Sequence, residues 1–191
     1  MISPRVLLIC CEGKTERNYF EFITNFYKPA GTEIIEIHHV GRQHRAIIDK
    51  GLVERAKYAL RLGYGFKEEE IELWVICDND RMSIDYVELS QYAIEKGVNL
   101  GFSRPNFEAY IIQHFGFSSE NKVLAIQSKL DVLAGGKYDK TDIGWLEEVI
   151  FLDPNIVDAA VINADVNKDQ NMSPFFTVQE LTKRLIDLKV K

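Results

Sequence analysis

Apolar runs and stretches of helical spacing alternate through the first half of the chain. Short runs that are apolar, or alternate between apolar and polar residues, predict four β-strands, at residues 5–11, 33–40, 73–77 and 98–102. Apolar side chains three or four positions apart predict the helices between them, at residues 15–26, 45–62 and 83–96, the last capped by Ser83. This order predicts an α/β fold with a mostly parallel sheet of about four strands, flanked by helices.

The second half of the chain has mainly helical spacing. It predicts helices at residues 105–115, 122–133 and 154–166, and a last helix that opens with the capping box Thr177-Val178-Gln179-Glu180. We therefore expect an α/β core over residues 1–115 and a helical extension over 116–191 that packs on it within a single domain. Residues 137–142 are the segment expected to be mobile.

Composition and charge limit the classes of function. The chain has 191 residues and a formal net charge of −6, from 23 basic and 29 acidic residues. A protein that coats nucleic acid alone is usually basic, so any nucleic acid here must be held by local charge, a metal or a partner. No apolar run reaches the ~18 residues that span a bilayer, and the three cysteines have no disulfide spacing. We expect a cytoplasmic protein that does not contact membranes.

Acidic residues follow two of the predicted strands. Glu12 and Gly13 directly follow the first strand, and Asp78 and Asp80 follow the third. Taken alone, each motif is also typical of an ordinary exposed turn. If the two strands are neighbours, the three carboxylates meet at one edge of the sheet, where their mutual repulsion favours a divalent cation. Because Mg²⁺ prefers such oxygen ligands, we predict a site for Mg²⁺ or Mn²⁺.

Further charged residues lie beside these acids. Gly13-Lys14-Thr15 is similar to the end of a nucleotide-binding loop, but Leu8 stands where that loop needs a glycine, which excludes it. Lys14 and Arg104 are candidates for binding phosphate oxygens, although a solvated surface charge is the commoner role of each. Glu108 follows the fourth strand, where it either joins the acids or interacts with a helix dipole. His114 lies among aromatic residues, which favours a core histidine over a catalyst.

Three segments together resemble a known family. They are Cys11-Glu12-Gly13-Lys14-Thr15-Glu16-Arg17-Asn18-Tyr19-Phe20, Val75-Ile76-Cys77-Asp78-Asn79-Asp80, and Ser103-Arg104-Pro105-Asn106-Phe107-Glu108-Ala109-Tyr110 with His114-Phe115. A strand followed by Glu-Gly and a strand followed by Asp-x-Asp resemble the Toprim fold of topoisomerases, primases and OLD-type nucleases. The whole set is most similar to the RloB-like family, a Toprim-like group of prokaryotic proteins.

This resemblance implies a Toprim-like, Rossmann-like fold and a role in antiphage abortive infection, with an ATPase encoded nearby as a partner. It also implies that Glu12, Asp78 and Asp80 are the metal-binding acids. The function predicted is Mg²⁺-dependent phosphoryl transfer by a nuclease that hydrolyses nucleic acid. Glu108 would add a fourth acid, and Lys14 or Arg104 would stabilise the transition state.

The alternative function is a non-catalytic Toprim-like module that binds a metal, a nucleotide or a partner protein within a defence complex. The net charge of −6 and the small size favour this alternative. The sequence leaves open whether the nucleic acid is DNA or RNA, and whether the protein forms a homo-oligomer.

Overall fold

A five-stranded sheet forms the centre of the molecule in a computed structural model that describes residues 5–27, 33–41, 44–63, 67–79 and 85–188. The strands are β1 (Arg5–Cys11), β2 (Glu33–His39), β3 (Ile71–Asp78), β4 (Asn99–Arg104) and β5 (Phe175–Phe176). Their order across the sheet is β2-β1-β3-β4-β5. The first four strands pair in parallel, which confirms the α/β fold predicted from the sequence.

Helices cover both faces of the sheet. They are α1 (Lys14–Tyr27), α2 (Arg45–Leu62), α3 (Tyr86–Glu95), α4 (Phe107–Ile112), α5 (Val123–Leu133), α6 (Gly144–Leu152), α7 (Asn155–Val166) and α8 (Gln179–Asp187). Short 3₁₀ turns lie at Glu68–Glu70 and Gln113–Phe115. Among the described residues, no helix combines the length and the apolar character that crossing a membrane requires.

The alternation of β1 divides the core into two layers. Leu7, Ile9 and Cys11 pack into a layer that includes α1 and the helices of the second half, whereas Leu8 and Cys10 pack into a layer with α2 and α3. Both faces of β1 are therefore buried. This explains why its sequence is a continuous apolar run, as expected for the interior of a parallel sheet.

The second half of the chain also contributes a strand, which the sequence analysis missed. β5 pairs antiparallel with β4 through Phe176 opposite Ser103 and Phe175 opposite Arg104. A strand of two residues has too few positions to show any period. The expected helical extension is thus joined to the edge of the sheet.

Two predictions were wrong at helix ends, and one helix was missed. Asp85 caps α3 by accepting hydrogen bonds from the amides of Val87 and Glu88, so α3 begins after Ser83, which lies outside the described residues. The Thr177 hydroxyl does not cap α8: it accepts from the amide of Phe102 at 2.9 Å and donates to the carbonyl of Leu100 at 3.1 Å. It thereby satisfies backbone groups of β4 where β5 has ended. α6 was not predicted at all.

His114 is a core residue with both ring nitrogens bonded. Its Nδ1 lies 2.9 Å from the carbonyl of Ile111, which can only accept, so Nδ1 carries the proton. Its Nε2 accepts from the hydroxyl of Tyr19 at 3.0 Å. The side chain is 2% exposed, and burial lowers the pKa of His114 from 6.5 to about 4.

This burial should make folding stability depend on pH. Between pH 6.5 and 4 the unfolded chain protonates His114 while the native protein does not, so the free energy of unfolding falls as the pH falls. We expect His114 to account for a loss of about 2 kcal/mol between pH 7 and pH 5. Urea unfolding of wild type and His114→Gln at both pH values measures this as a change in their difference. A difference that stays constant with pH would show that His114 does not titrate in this way.

Candidate functional site

A cleft of about 620 Å³ opens where β1 and β3 end. These strands are neighbours, as the sequence analysis required, and the amide of Glu12 extends their pairing by donating to the carbonyl of Ile76 at 2.9 Å. The cleft is lined by Glu12, Gly13, Lys14, Thr15, Glu16, Gly41, Ala46, Asp78, Glu108, Lys140 and Thr141. The carboxyl ends of the parallel strands therefore form the site, as is usual in sheets of this kind.

Four carboxyl groups share this cleft. The structure brings together three that the sequence predicted, Glu12, Asp78 and Glu108, and adds Glu16. Glu16 and Glu108 are only 4% and 3% exposed. Glu16 follows Glu12 by four positions, and α1 begins between them. The sequence analysis assigned no role to Glu16, because nothing in the sequence alone showed that its side chain turns toward the cleft.

Burial and mutual repulsion act on these acids together. The pKa of the Glu16 carboxyl is raised well above its usual value, first because burial removes it from water and next because Asp78 lies close by. Glu108 and Glu12 raise it further. Four acids held in one partly dry cleft are costly to ionise together, so a cation or protons must compensate them.

The absence of a side chain at Gly13 leaves space for the carboxyl group of Glu16. A Cβ atom built on Gly13 would lie 2.4 Å from Oε2 of Glu16, which is closer than such atoms ever approach. A larger residue here would displace the Glu16 carboxyl group, so the glycine allows that group to pack against the backbone.

Asp78 joins the end of β3 to the start of α4. Its Oδ2 accepts a hydrogen bond from the amide of Phe107 at 3.3 Å. Asn106 completes this helix start by accepting from the amide of Ala109 at 3.1 Å. The short helix α4 in turn carries Glu108, so one local arrangement orients two of the four acids.

The thiols beside the acids are not suited to nucleophilic chemistry. Cys11 precedes Glu12 and Cys77 precedes Asp78, and both side chains are buried. Burial first, and then neighbouring carboxylates, raise the pKa of each thiol well above its usual value. A thiol that stays protonated is a poor nucleophile.

Two lysines bring positive charge to the cleft. Lys14, a predicted candidate, is exposed at its rim. Lys140 was not predicted as a site residue, and its Nζ lies 3.4 Å from Oε1 of Glu108. It comes from the segment 137–142 that the sequence analysis expected to be mobile; here this segment lies against α1.

Two other predicted residues are not placed in the cleft. The guanidinium of Arg104 lies over the ring of Phe102 at 5.7 Å and donates to the carbonyl of Gln170 at 2.9 Å, and Arg104 does not line the cleft. Asp80 lies outside the described residues. Its role as a metal ligand stays a prediction.

The donor chemistry of the cleft suits a hard divalent cation. Its acids offer only oxygen donors, which Mg²⁺ and Mn²⁺ accept, and a cation would compensate the buried carboxyl of Glu16. As they stand, however, the acids, histidines and cysteines of the described ranges include no group of three arranged to hold a metal ion. Glu12 and Asp78 offer the oxygen donors that such a cation takes, and their role as its ligands, with Asp80 as a third, stays a prediction.

Comparison with known proteins gives one match. The sequence model of the family described as RloB-like protein matches residues 7–185, which is most of the chain. The chain matches no curated protein and no solved structure.

Proposed function

We propose that this chain, which belongs to the RloB-like protein family, is a divalent-cation-dependent phosphodiester hydrolase that acts on nucleic acid. The observation that supports this most is the cleft in which Glu12, Glu16, Asp78 and Glu108 meet Lys14 and Lys140. Metal-dependent phosphoryl transfer needs carboxyl groups that bind a cation and positively charged side chains that bind phosphate oxygens.

Each group of residues has a distinct role in this proposal. Glu12 and Asp78, with Asp80, would hold the cation, which when bound activates water and neutralises charge on the phosphate. Lys14 and Lys140 bind nonbridging phosphate oxygens by charge-assisted hydrogen bonds. The buried Glu16 and Glu108 would add oxygen atoms at the floor of the cleft, and a bound cation would favour the ionised form of Glu16.

Removing one of the proposed cation-binding carboxylates should abolish most of the activity. We expect Glu12→Gln to cleave labelled DNA or RNA in Mn²⁺ at least about 100-fold more slowly than wild type, because the variant loses an electrostatic group of the site. Glu68→Gln is a matched control, since Glu68 is exposed and lies just before the other end of β3.

The assay also tests the partner that family resemblance suggests. With 23 basic and 29 acidic residues, the protein has no excess of positive charge with which to hold a long nucleic acid. We expect weak, salt-sensitive cleavage alone and faster cleavage with an ATPase encoded nearby, as part of an antiphage defence system. Robust cleavage by the protein alone at physiological salt would refute the need for a partner.

The second candidate function is a non-catalytic module that binds a cation, a nucleotide or a partner protein. The pairing of Lys140 with Glu108 favours it, because a lysine held by an acid offers less charge to a phosphate. Equal rates for wild type and Glu12→Gln in every condition, with and without the partner, would rule out the first function and favour the second.

A further inference from the structure

We propose that Thr15 and Asn18 are positioning residues that hold Lys140 in the cleft, an inference that rests on the proposed function. Both belong to α1, and both bind the backbone of residues 138–141, which we call the strap. The Thr15 hydroxyl donates to the carbonyl of Lys140 at 2.8 Å. The Asn18 side-chain amide donates to the carbonyl of Thr141 at 2.9 Å.

These two hydrogen bonds fix the position of the Lys140 backbone. A lysine side chain has many rotamers, so its ammonium group stays near a given point only when its backbone is fixed nearby. The Lys140 side chain is 54% exposed, whereas that of Glu108 is only 4% exposed, and Nζ of Lys140 lies 3.4 Å from Oε1 of Glu108. This ion pair holds the ammonium end of the side chain and leaves the backbone of the segment to other contacts. Thr15 is only 6% exposed, which shields its bond to the strap from water.

The strap has a turn structure of its own. The backbone amide and the hydroxyl of Thr141 both donate to Oδ1 of Asp139 at 2.8 Å. The amide of Tyr138 donates to Oδ1 of Asp131 in α5 at 2.8 Å. A turn that is already folded needs few external contacts to fix its orientation. The Tyr138 side chain is buried in the core at one end of the strap, and the two bonds to α1 hold the other end.

The first turns of α1 therefore have two functions. Glu16 contributes a carboxyl group to the cleft, while Thr15 and Asn18, three positions apart on the same face of the helix, anchor the strap. α1 thus holds Lys140, from the second half of the chain, beside acidic residues of the first half. Without this anchor, Lys140 would remain in the sequence but would not be directed at a phosphate bound in the cleft.

A double-mutant cycle separates this positioning role from a general structural role. Thr15→Val removes the hydroxyl at nearly constant volume, and Thr15→Ser keeps it. We expect Thr15→Val and Lys140→Ala each to slow Mn²⁺-dependent cleavage about tenfold or more. The double variant should be no slower than Lys140→Ala alone. Thr15→Ser should cleave at about the wild-type rate. If Thr15→Val does not fold, Asn18→Ala should show the slower cleavage expected of Thr15→Val.

Hydrogen exchange of the strap provides a measurement that does not depend on catalysis. Amides of residues 138–141 should exchange about five- to tenfold faster in Thr15→Val than in wild type, Thr15→Ser or Lys140→Ala. If exchange does not change in Thr15→Val, or if the two effects on cleavage multiply in the double variant, the inference is wrong. If no protein cleaves nucleic acid but exchange responds as expected, the anchor is correct and the proposed function fails.

Discussion

The Asp78→Asn protein should fold normally and lose its stabilisation by Mn²⁺. Asparagine keeps a side-chain oxygen that can accept the hydrogen bond from the amide of Phe107. It also removes one of four mutually repelling charges from the cleft. Wild type should gain about 2.7 kcal/mol of stability when Mn²⁺ is present at a hundredfold excess over its Kd. Thermal unfolding with and without Mn²⁺ should therefore show a shift for wild type and almost none for Asp78→Asn.

Glu68→Gln is the control for this measurement, because it removes one negative charge just before the other end of β3. It should keep the full response to Mn²⁺. If Asp78→Asn is strongly destabilised in the absence of metal, Asp78 serves mainly to hold α4, and its assignment as a ligand is wrong. An undiminished response to Mn²⁺ in Asp78→Asn would contradict the assignment equally.

Glu16→Gln should stabilise the metal-free protein at neutral pH. The pKa of Glu16 in the native protein is raised above its unfolded value, mainly by burial and by the neighbouring Asp78. The native state therefore binds more protons than the unfolded state, and stability is lost as the pH rises through the native pKa. Glutamine cannot ionise, so the variant avoids this loss. Its melting temperature should exceed that of wild type at pH 7–8 by about 2–4 °C for each kcal/mol relieved, and the gap should close toward pH 4.

This prediction is checked by melting curves from pH 4 to pH 8 in the presence of a chelator. Glu68→Gln, which removes an exposed carboxyl group outside the cleft, is the control variant in these curves. A Glu16→Gln protein that is less stable than wild type by the same amount at every pH would mean that the carboxyl of Glu16 is stabilising as it stands.

The fold could largely be predicted because the strands and helices differ in period. β1 and β3 are continuous apolar runs, and the helices between the strands have clear apolar faces. The parallel order then followed from the alternation of the elements. β5 could not be predicted, because two residues carry no period and their pairing depends on β4.

The residues of the candidate site that directly follow a strand could be predicted from the sequence. Glu12 and Asp78 were found in this way, and the adjacency of β1 and β3 brings them into one cleft. Lys140 could not be found, because it reaches the cleft through contacts with α1 that join residues 125 and 123 positions apart. Arg104 is a basic residue at the end of β4, where a phosphate-binding side chain was expected, but its guanidinium lies over the aromatic rings of Phe102 and Phe175.

The position of a bound Mn²⁺ ion, located by its anomalous scattering in crystals of the wild-type protein, would show whether the cleft binds a divalent cation. We expect an ion in the cleft with carboxylate oxygens of Glu12, Asp78 and Asp80 at about 2 Å, and no such ion in crystals of Asp78→Asn. An ion bound elsewhere, or no ion in the cleft at a Mn²⁺ concentration that saturates the thermal shift, would contradict it.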